Sequence, residues 1–368
     1  MLASGWDQCA FNALLSPAAA VAEEVAGTWL KDLLGIPETA SVGFVTGAQE
    51  ANTVGLVAAR HHVLARAGWD VELDGLWAAP AVRVVAGVER HATIDRSLRL
   101  LGFGAASVQA VGADANGAID VADLARVLAA GDVGPTIVCL QAGNVNTGAC
   151  DDLRAACEVA RRHGAWVHVD GAFGLWAAAN PATRPLVAGL AEADSWGCDG
   201  HKWLNLPYDS GFVFCSRPEV HAAAASYTAA YLVGSGGAIA GLSDYTLESS
   251  RRGRGFAAWA GLRQLGRDGV ADLVERCCQL ARRFADALAA GGAEIANEVV
   301  LNQVLVGFGD HARTDRVIES VQEDGTCWMG GTTWRGRRLM RISVSNWSTS
   351  EADVDRCVEV ILRLAAKA

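Results

Sequence analysis

The stretch ADSWGCDGHKWLNLPYDSG, residues 193–211, places Lys202 in an apolar, glycine-punctuated turn. Lysine is rare in this chain, which has only Lys31 and Lys367 besides Lys202. A desolvated amine loses its proton more easily and becomes a nucleophile, so Lys202 is a candidate for Schiff-base chemistry. The alternative is a surface lysine whose stem rests beside a core tryptophan. The stretch alone leaves both interpretations open.

A second motif, HVDGAF at residues 168–173, puts Asp170 at the end of an apolar run that predicts a buried strand. A carboxylate in such a place has to be paired, capped or functional, because burying an unpaired charge is costly. His91 follows another predicted strand, at residues 81–86. A single histidine is more often structural or solvated, but open α/β sheets bind their ligands at strand ends of this kind.

Short apolar strands alternate with helical patterns through the first part of the chain, which predicts a parallel sheet covered by helices on both faces. The predicted strands are residues 41–46, 81–86, 108–111, 136–141, 166–169 and 211–215. A long helical pattern from Phe256 to Ala290 then leads to strands predicted at 303–308, 326–333 and 339–344. We therefore divide the chain into an N-terminal helical segment (1–40), a large domain (41–250) and a small C-terminal domain (251–368).

The sequence around the lysine resembles the signature of the group II pyridoxal-phosphate (PLP) decarboxylases. The matching residues are His201-Lys202-Trp203, with Asp194-Ser195-Trp196 before them and Pro207-Tyr208-Asp209 after them. This family includes the aromatic-amino-acid, glutamate, histidine and diaminobutyrate decarboxylases, and the resemblance runs from about residue 6 to residue 354. It implies an α/β protein of PLP fold type I, which is aspartate-aminotransferase-like. Such a protein has a PLP-binding domain with a mostly parallel sheet and a smaller α+β C-terminal domain.

The resemblance assigns one group of residues to the lysine and to the cofactor phosphate. Family members hold PLP as an imine on the lysine at the position of Lys202, with His201 and Asp199 beside the phosphate. The family's phosphate-binding turn matches Ala48 and Gln49, where a strand, a small-residue turn and a helix start also favour anion binding. Gln49 departs from the usual serine or threonine, so a hydroxyl contact is lost although its backbone N–H can still serve.

A second group of residues is assigned to the cofactor ring. The histidine at the position of His91 stacks on the pyridine ring in the family, and Ala172 matches the residue that touches the opposite face. Asp170 matches the aspartate beside the pyridine nitrogen, whose charge keeps that nitrogen protonated. Asn144, in the turn after the strand at 136–141, is a candidate for a hydrogen bond to the phenolic oxygen or the phosphate, although asparagine also favours plain turns.

The family also has a mobile loop with a tyrosine that returns a proton to the α-carbon. Tyr231 stands at the matching distance from the lysine, and Tyr227 is the weaker candidate. Loss of this tyrosine is associated with aldehyde formation among the relatives. Arg341 resembles an arginine that binds the substrate carboxylate in related aminotransferases, but decarboxylases have less need of it and we leave it outside the predicted site.

Composition excludes several classes of function. A formal net charge of −10 argues against nucleic acid as a partner, because phosphate backbones are bound by basic surfaces. The ten cysteines form no CxxC pair and follow no secretory segment, so we expect reduced thiols and a cytoplasmic protein. The eight histidines show no metal-binding spacing, and no apolar run is long enough to cross a membrane. We therefore expect no metal and no membrane contact.

These observations predict a PLP-dependent carboxy-lyase that converts an L-amino acid to an amine and carbon dioxide. The alternatives are an aldehyde synthase, an aminotransferase or a lyase of the same fold, or a non-catalytic PLP-binding homologue. The family usually has some tens of residues before the position of Trp6, forming a helical arm that lines the substrate pocket. We expect that arm to be truncated here or replaced by another segment or subunit, which leaves the substrate undecided. The resemblance also implies a homodimer with the active site at its interface.

Overall fold

A computed structural model of the chain describes residues 9–130, 134–227 and 241–368. In the part described, seven strands form one sheet in the order β1-β7-β6-β5-β4-β2-β3. The strands are β1 (Ser41–Val45), β2 (Arg83–Gly87), β3 (Val108–Val111), β4 (Thr136–Gln141), β5 (Trp166–Asp170), β6 (Ser195–Asp199) and β7 (Gly211–Cys215). All of them point the same way except β7, which is antiparallel to both of its neighbours. The sheet is therefore mostly parallel, as predicted.

Helices cover this sheet. They are α1 (Pro17–Leu34), α2 (Ala48–Arg66), α3 (Val71–Asp74), α4 (Ala92–Leu100), α5 (Val121–Ala129), α6 (Leu153–Arg162) and α7 (Pro218–Ala225). Helix α1 precedes the first strand, α7 follows the last, and the others lie between strands. Every residue of β5, β6 and β7 is buried, which is why these strands read as continuous apolar or small-residue runs rather than as an alternating pattern. Proline at the first position of α1 and left-handed Gly35 after its end set the limits of that helix.

No strand is predicted from the sequence at residues 195–199, where the structure has strand β6. The run Ser-Trp-Gly-Cys-Asp is short and carries a glycine, so its propensity for strand is weak. Pairing with β5 on one side and β7 on the other overrides that propensity and buries Trp196 completely. The turn begins only after Asp199, which brings Lys202 just beyond the end of a central strand.

A smaller sheet lies in the C-terminal part of the chain, with strand order β10-β11-β9-β8 and only antiparallel pairs. Its strands are β8 (Glu294–Ile295), β9 (Gln303–Gly307), β10 (Gly330–Trp334) and β11 (Arg337–Ser343), and its helices are α8 (Gly255–Ala290), α9 (His311–Asp324) and α10 (Glu351–Ala365). Gly266 interrupts α8 with a positive φ of 63°. Buried residues of both sheets and of α8 belong to one apolar cluster. The domain limits at residues 40 and 250 stay a prediction.

The parallel strands bring their carboxyl ends to one edge of the large sheet. His91 follows β2, Asn144 follows β4, Asp170 ends β5 and Asp199 ends β6. The turn after β1 reaches the same edge, because β1 has the same direction as β6. The residues singled out in the sequence are therefore gathered at one edge, although they lie far apart in the chain.

The described residues were also searched for membrane-spanning helices and for metal-binding clusters. Among the residues described, no helix combines the length and apolar character needed to cross a membrane. Within the same residues, no cluster of three or more histidine, cysteine or acidic side chains is placed to hold a metal ion.

Two histidines are completely buried, His168 on β5 and His221 on α7, and burial lowers the pKa of each to about 3. In the unfolded chain a histidine takes up its proton near pH 6.5. Below that pH the unfolded state binds protons that the folded state does not, so each histidine lowers the free energy of unfolding as the pH falls from 6.5 toward 3.

Replacing His221 with glutamine is expected to remove its share of this pH dependence. Between pH 6.5 and 5.5 the variant should lose about 1 kcal/mol less unfolding free energy than the wild type. Urea denaturation at both pH values, with exposed His163→Gln as the control, measures the difference. Equal losses in the wild type and the His221 variant would contradict a neutral, buried His221.

Candidate active site

Lys202 lies just beyond the end of β6, and its amine is paired with a carboxylate. Its Nζ atom is 3.1 Å from Oδ2 of Asp199, and its side chain is 41% exposed. The neighbouring Trp203 is buried in the core. Lys202 therefore has a core tryptophan beside it, as the surface interpretation requires, but its amine is held at the sheet edge by a buried carboxylate instead of extending into solvent.

Asp199 joins this lysine to the start of α2. Its Oδ1 atom accepts a hydrogen bond of 2.6 Å from the backbone N–H of Ala48, and the same oxygen lies 3.3 Å from Nε2 of His201. A carboxylate at a helix N-terminus is stabilised by the unpaired amides and the helix dipole. The amide of Ala48, predicted to face the cofactor phosphate, is thus already engaged by Asp199.

His201 is fixed by contacts on several sides. Its Nδ1 atom accepts a hydrogen bond from the backbone N–H of Ser210, and its ring stacks on Tyr208 with 4.0 Å between the ring centres. Because Nδ1 is an acceptor, the ring proton resides on Nε2, which faces Asp199. Burial lowers the pKa of His201. A Cβ atom at Gly47 would lie 2.9 Å from the His201 ring, so only glycine leaves room for this turn beside the histidine.

Asp170 is the buried acid of the site, with 4% of its surface exposed. Its Oδ1 atom accepts a hydrogen bond from the backbone N–H of Ala172, and its Oδ2 atom accepts a long one, 3.4 Å, from Oγ1 of Thr93. Burial raises the pKa of Asp170, whereas the nearby His91 and Lys202 act in the opposite direction. His91 follows β2, Asp170 ends β5 and Lys202 follows β6, so the three residues lie at the same edge of the sheet.

His91 is the residue before α4, and its ring is oriented by that helix. The Nδ1 atom accepts a hydrogen bond of 3.3 Å from the backbone N–H of Thr93 and lies 2.9 Å from the Thr93 hydroxyl. A side chain that caps a helix start in this way has little freedom to rotate. The half-buried imidazole is thereby held at the same sheet edge as Asp170.

Asn144 and Gln49, both predicted to contact the cofactor, have side chains that already form hydrogen bonds within the protein. The amide nitrogen of Asn144 donates to Glu89 O and Gln141 Oε1, and its oxygen accepts from the N–H groups of residues 146 and 147. The Gln49 side chain donates to Thr93 O and to Ser97 Oγ. Asn144 would have to break one of these bonds to contact a cofactor, and Gln49 can offer only its backbone N–H.

Three arginines at positions 251, 252 and 254 bind acidic side chains inside the protein. Arg252 and Arg254 both donate to the carboxylate of Asp209, in the turn that carries Lys202 and His201. Arg251 is completely buried and pairs with Glu23 of α1. Sequence reasoning missed this role, because neither acidic partner is adjacent to the arginines in the chain.

Three further tyrosine and arginine residues were considered in the sequence. Tyr231 falls outside the residues that the structure describes. Tyr227 is half-exposed, and its hydroxyl is 2.6 Å from Oγ of Ser249. Arg341, left outside the predicted site, donates to Val145 O and to Ser343 Oγ, and so ties β11 to the turn after β4.

Comparison with known proteins decides the family. Residues 1–308 match the pyridoxal-dependent decarboxylase conserved domain, which is most of the chain. The protein belongs to the pyridoxal-dependent decarboxylase family. This membership confirms the predicted family and makes the protein a PLP-dependent carboxy-lyase.

The relatives in this family include decarboxylases and an aldehyde-forming enzyme. Tryptophan decarboxylase 1 of Oryza sativa subsp. japonica is 28% identical over 98% of this chain and 76% of its own length. Phenylacetaldehyde synthase of a Rosa hybrid cultivar is 27% identical over 77% of this chain and 57% of its own length. The crystal structure of Oryza sativa TDC with PLP and tryptamine superimposes with a TM-score of 0.91 at 25% identity, over 100% of this chain and 80% of that one. The predicted fold class is therefore confirmed.

The residues present suit PLP. The site combines an amine on Lys202, a buried carboxylate on Asp170, a flat imidazole on His91 and a glycine turn at the start of α2. A buried carboxylate needs a cationic partner, and a protonated pyridine nitrogen supplies one. The three side chains lie at the same edge of the sheet.

Proposed function

We propose that this decarboxylase converts an L-amino acid to the corresponding amine and carbon dioxide, with Lys202 as the lysine that bonds to the cofactor. The observation that carries the proposal is the position of Lys202, Asp170 and His91 at the same edge of the sheet. Lys31, by contrast, is committed to the carbonyl oxygens of Glu38 and Ala40.

The phosphate of PLP is proposed to bind at the turn between β1 and α2. The backbone N–H of Gln49 and the Nε2–H of His201 are the donors offered there, and the helix dipole adds a positive potential. Asp199 has a different task in this proposal. Its carboxylate anchors the helix start through Ala48 and provides a partner for the Lys202 amine until that amine moves to the cofactor.

When bound, PLP supplies a conjugated electron sink for the electron pair left on the α-carbon as carbon dioxide departs. Asp170 is proposed to hold a proton on the pyridine nitrogen, which makes that sink effective. His91 is proposed to lie against one face of the ring and Ala172 against the other, keeping water away from the reacting atoms. Asn144 is proposed to hold the turn beside the cofactor.

The fate of the α-carbon depends on proton delivery. We propose that Tyr231 donates the proton that yields the amine, and that Lys202 accepts protons during product release. The aldehyde synthase is a second candidate function, because phenylacetaldehyde synthase from Rosa is among the relatives. The presence of Tyr231 supports the amine as the product.

Substrate and assembly belong to the same proposal. Tryptophan decarboxylase 1 and the tryptamine complex are among the relatives, so aromatic amino acids are the first substrates to test. The resemblance also supports a cytoplasmic homodimer with the active site at its interface, and light scattering after size-exclusion chromatography would measure the mass.

The product assay separates the two candidate functions. The purified protein with PLP is incubated with tryptophan, tyrosine, phenylalanine, glutamate or 2,4-diaminobutyrate, and carbon dioxide, amine, aldehyde and ammonia are quantified. We expect one amine per carbon dioxide from one of these substrates, and aldehyde from the Tyr231→Phe variant. If the wild type released aldehyde and ammonia, the aldehyde synthase reaction would be its function instead of decarboxylation to the amine.

A further inference from the structure

Behind Asp170, a row of hydrogen bonds leads into the core between β5, β6 and α2. His168 is completely buried, and its Nδ1 atom lies 2.9 Å from the hydroxyl of Ser195. That hydroxyl accepts a hydrogen bond of 3.0 Å from Nε1 of Trp166, which can act only as a donor. The Ser195 hydroxyl then has its own proton free to donate to Nδ1 of His168. The imidazole is therefore neutral and carries its proton on Nε2.

The row continues from His168 toward the active site in the same direction. The Nε2 atom of His168 is 3.1 Å from Oδ1 of Asn52, so the histidine donates and the amide oxygen accepts. The amide nitrogen of Asn52 donates to Oγ1 of Thr93 at 3.2 Å, and Oγ1 of Thr93 donates to Oδ2 of Asp170 at 3.4 Å. An ionised carboxylate can only accept hydrogen bonds, so the donors of the row point toward Asp170. The last donor in the row faces that carboxylate.

Two glycines show that space is reserved for this row. Gly55 lies in the middle of α2, where a Cβ atom would come within 2.6 Å of Cε1 and 2.7 Å of Nδ1 of His168. Gly197 lies in the middle of β6, where a Cβ atom would come within 2.5 Å of Oδ1 of Asn52. Glycine costs about 1 kcal/mol in a helix interior and also weakens a strand. Each glycine leaves room for one polar member of the row.

We infer that His168 is a positioning residue for Asp170, acting through Asn52 and Thr93, whose hydroxyl holds the Asp170 carboxylate ionised and oriented toward the pyridine nitrogen of the cofactor. This inference rests on the proposed role of Asp170. Burial on its own favours the protonated acid, whereas hydrogen-bond donors aimed at the carboxylate favour the ion. If His168 no longer donates to the Asn52 oxygen, the Asn52 amide is free to turn and no longer orients the Thr93 hydroxyl. Asp170 then loses a donor that burial makes expensive to lose.

The variant His168→Phe tests the inference, because it keeps a flat buried ring and removes both nitrogens. His221→Phe is the matched control, since His221 is equally buried but bonds to Ser41. We expect His168→Phe to raise the dissociation constant of PLP about tenfold or more and His221→Phe to change it less than twofold. With PLP labelled by 15N at the ring nitrogen, the NMR signal should move toward neutral pyridine only in His168→Phe. The conservative His168→Gln, which retains an N–H donor, should recover most of the loss.

An unchanged PLP dissociation constant and an unmoved ring-nitrogen signal in His168→Phe would overturn the inference. A measurement on the cofactor-free wild type needs no variant and separates this failure from failure of the proposed function. Its side-chain 15N spectrum should show His168 neutral, with the proton on Nε2, at pH 7. A proton on Nδ1, or a charged ring, would overturn the inference even if the protein proves to be a decarboxylase.

Discussion

Replacing Lys202 with alanine is expected to lower kcat on the order of 10³-fold or more, because no other lysine amine is available at the sheet edge to bond with the cofactor or to move protons. The nearest alternatives in the sequence are unsuitable. Lys31 donates to two carbonyl oxygens at the end of α1, and Lys367 is the penultimate residue of the chain. Initial rates of carbon dioxide release, measured with saturating PLP, give the effect.

Lys31→Arg is the matched control for this variant. An arginine can keep the hydrogen bonds to Glu38 and Ala40, so kcat should stay within about twofold of the wild type, as for most surface substitutions. If Lys202→Ala decarboxylated its substrate at the rate of the control, Lys202 would not be the catalytic lysine.

Asp170→Asn is expected to reduce kcat by about 10²- to 10³-fold, a size typical of removing one preorganised electrostatic partner. Asparagine has nearly the same shape, and its oxygen can still accept the hydrogen bond from Ala172. It carries no charge, so it cannot keep a proton on the pyridine nitrogen at neutral pH. The 15N signal of the labelled ring should therefore report neutral pyridine, and the decrease in kcat should appear with every substrate.

Asp194→Asn provides the control for removing a partly buried carboxylate. Asp194 accepts a hydrogen bond from Val167 N–H and pairs with Arg217, and it stands just before the start of β6, at the opposite end of that strand from Lys202. Its replacement should lower the free energy of unfolding without moving the ring-nitrogen signal. If kcat fell as far in Asp194→Asn as in Asp170→Asn, the loss of activity in both variants would be due to lower folding stability.

The sequence predicts the large sheet well because its strands are short and mostly apolar, and its central strands are buried on both faces. Strands β3, β4 and β7 have the predicted limits, and the predicted site residues stand directly after strand ends. The carboxyl ends of parallel strands must meet at one edge, so His91 and Asp170 are brought together by topology alone. Strand β6 escaped prediction because Ser195–Asp199 gains its structure from its two neighbours.

The contacts between distant residues could not be predicted in this way. Ala48 and Asp199 are 151 positions apart, and nothing near either residue indicates that the carboxylate of one caps the helix of the other. The row that ends at Asp170 has the same character, since His168 meets Asn52 across 116 positions. Gly55 within a helix and Gly197 within a strand are the only local signals of it.

The claim that Lys202 bonds to PLP can be tested most directly by borohydride reduction of the protein with its cofactor, followed by peptide mass spectrometry. Reduction makes the bond between a lysine amine and the PLP aldehyde carbon permanent, and the chain has only three lysines on which it can form. The account predicts one equivalent of reduced adduct on the peptide that contains Lys202. An adduct on Lys31 or Lys367 alone, or no adduct in a protein that still releases carbon dioxide, would contradict it.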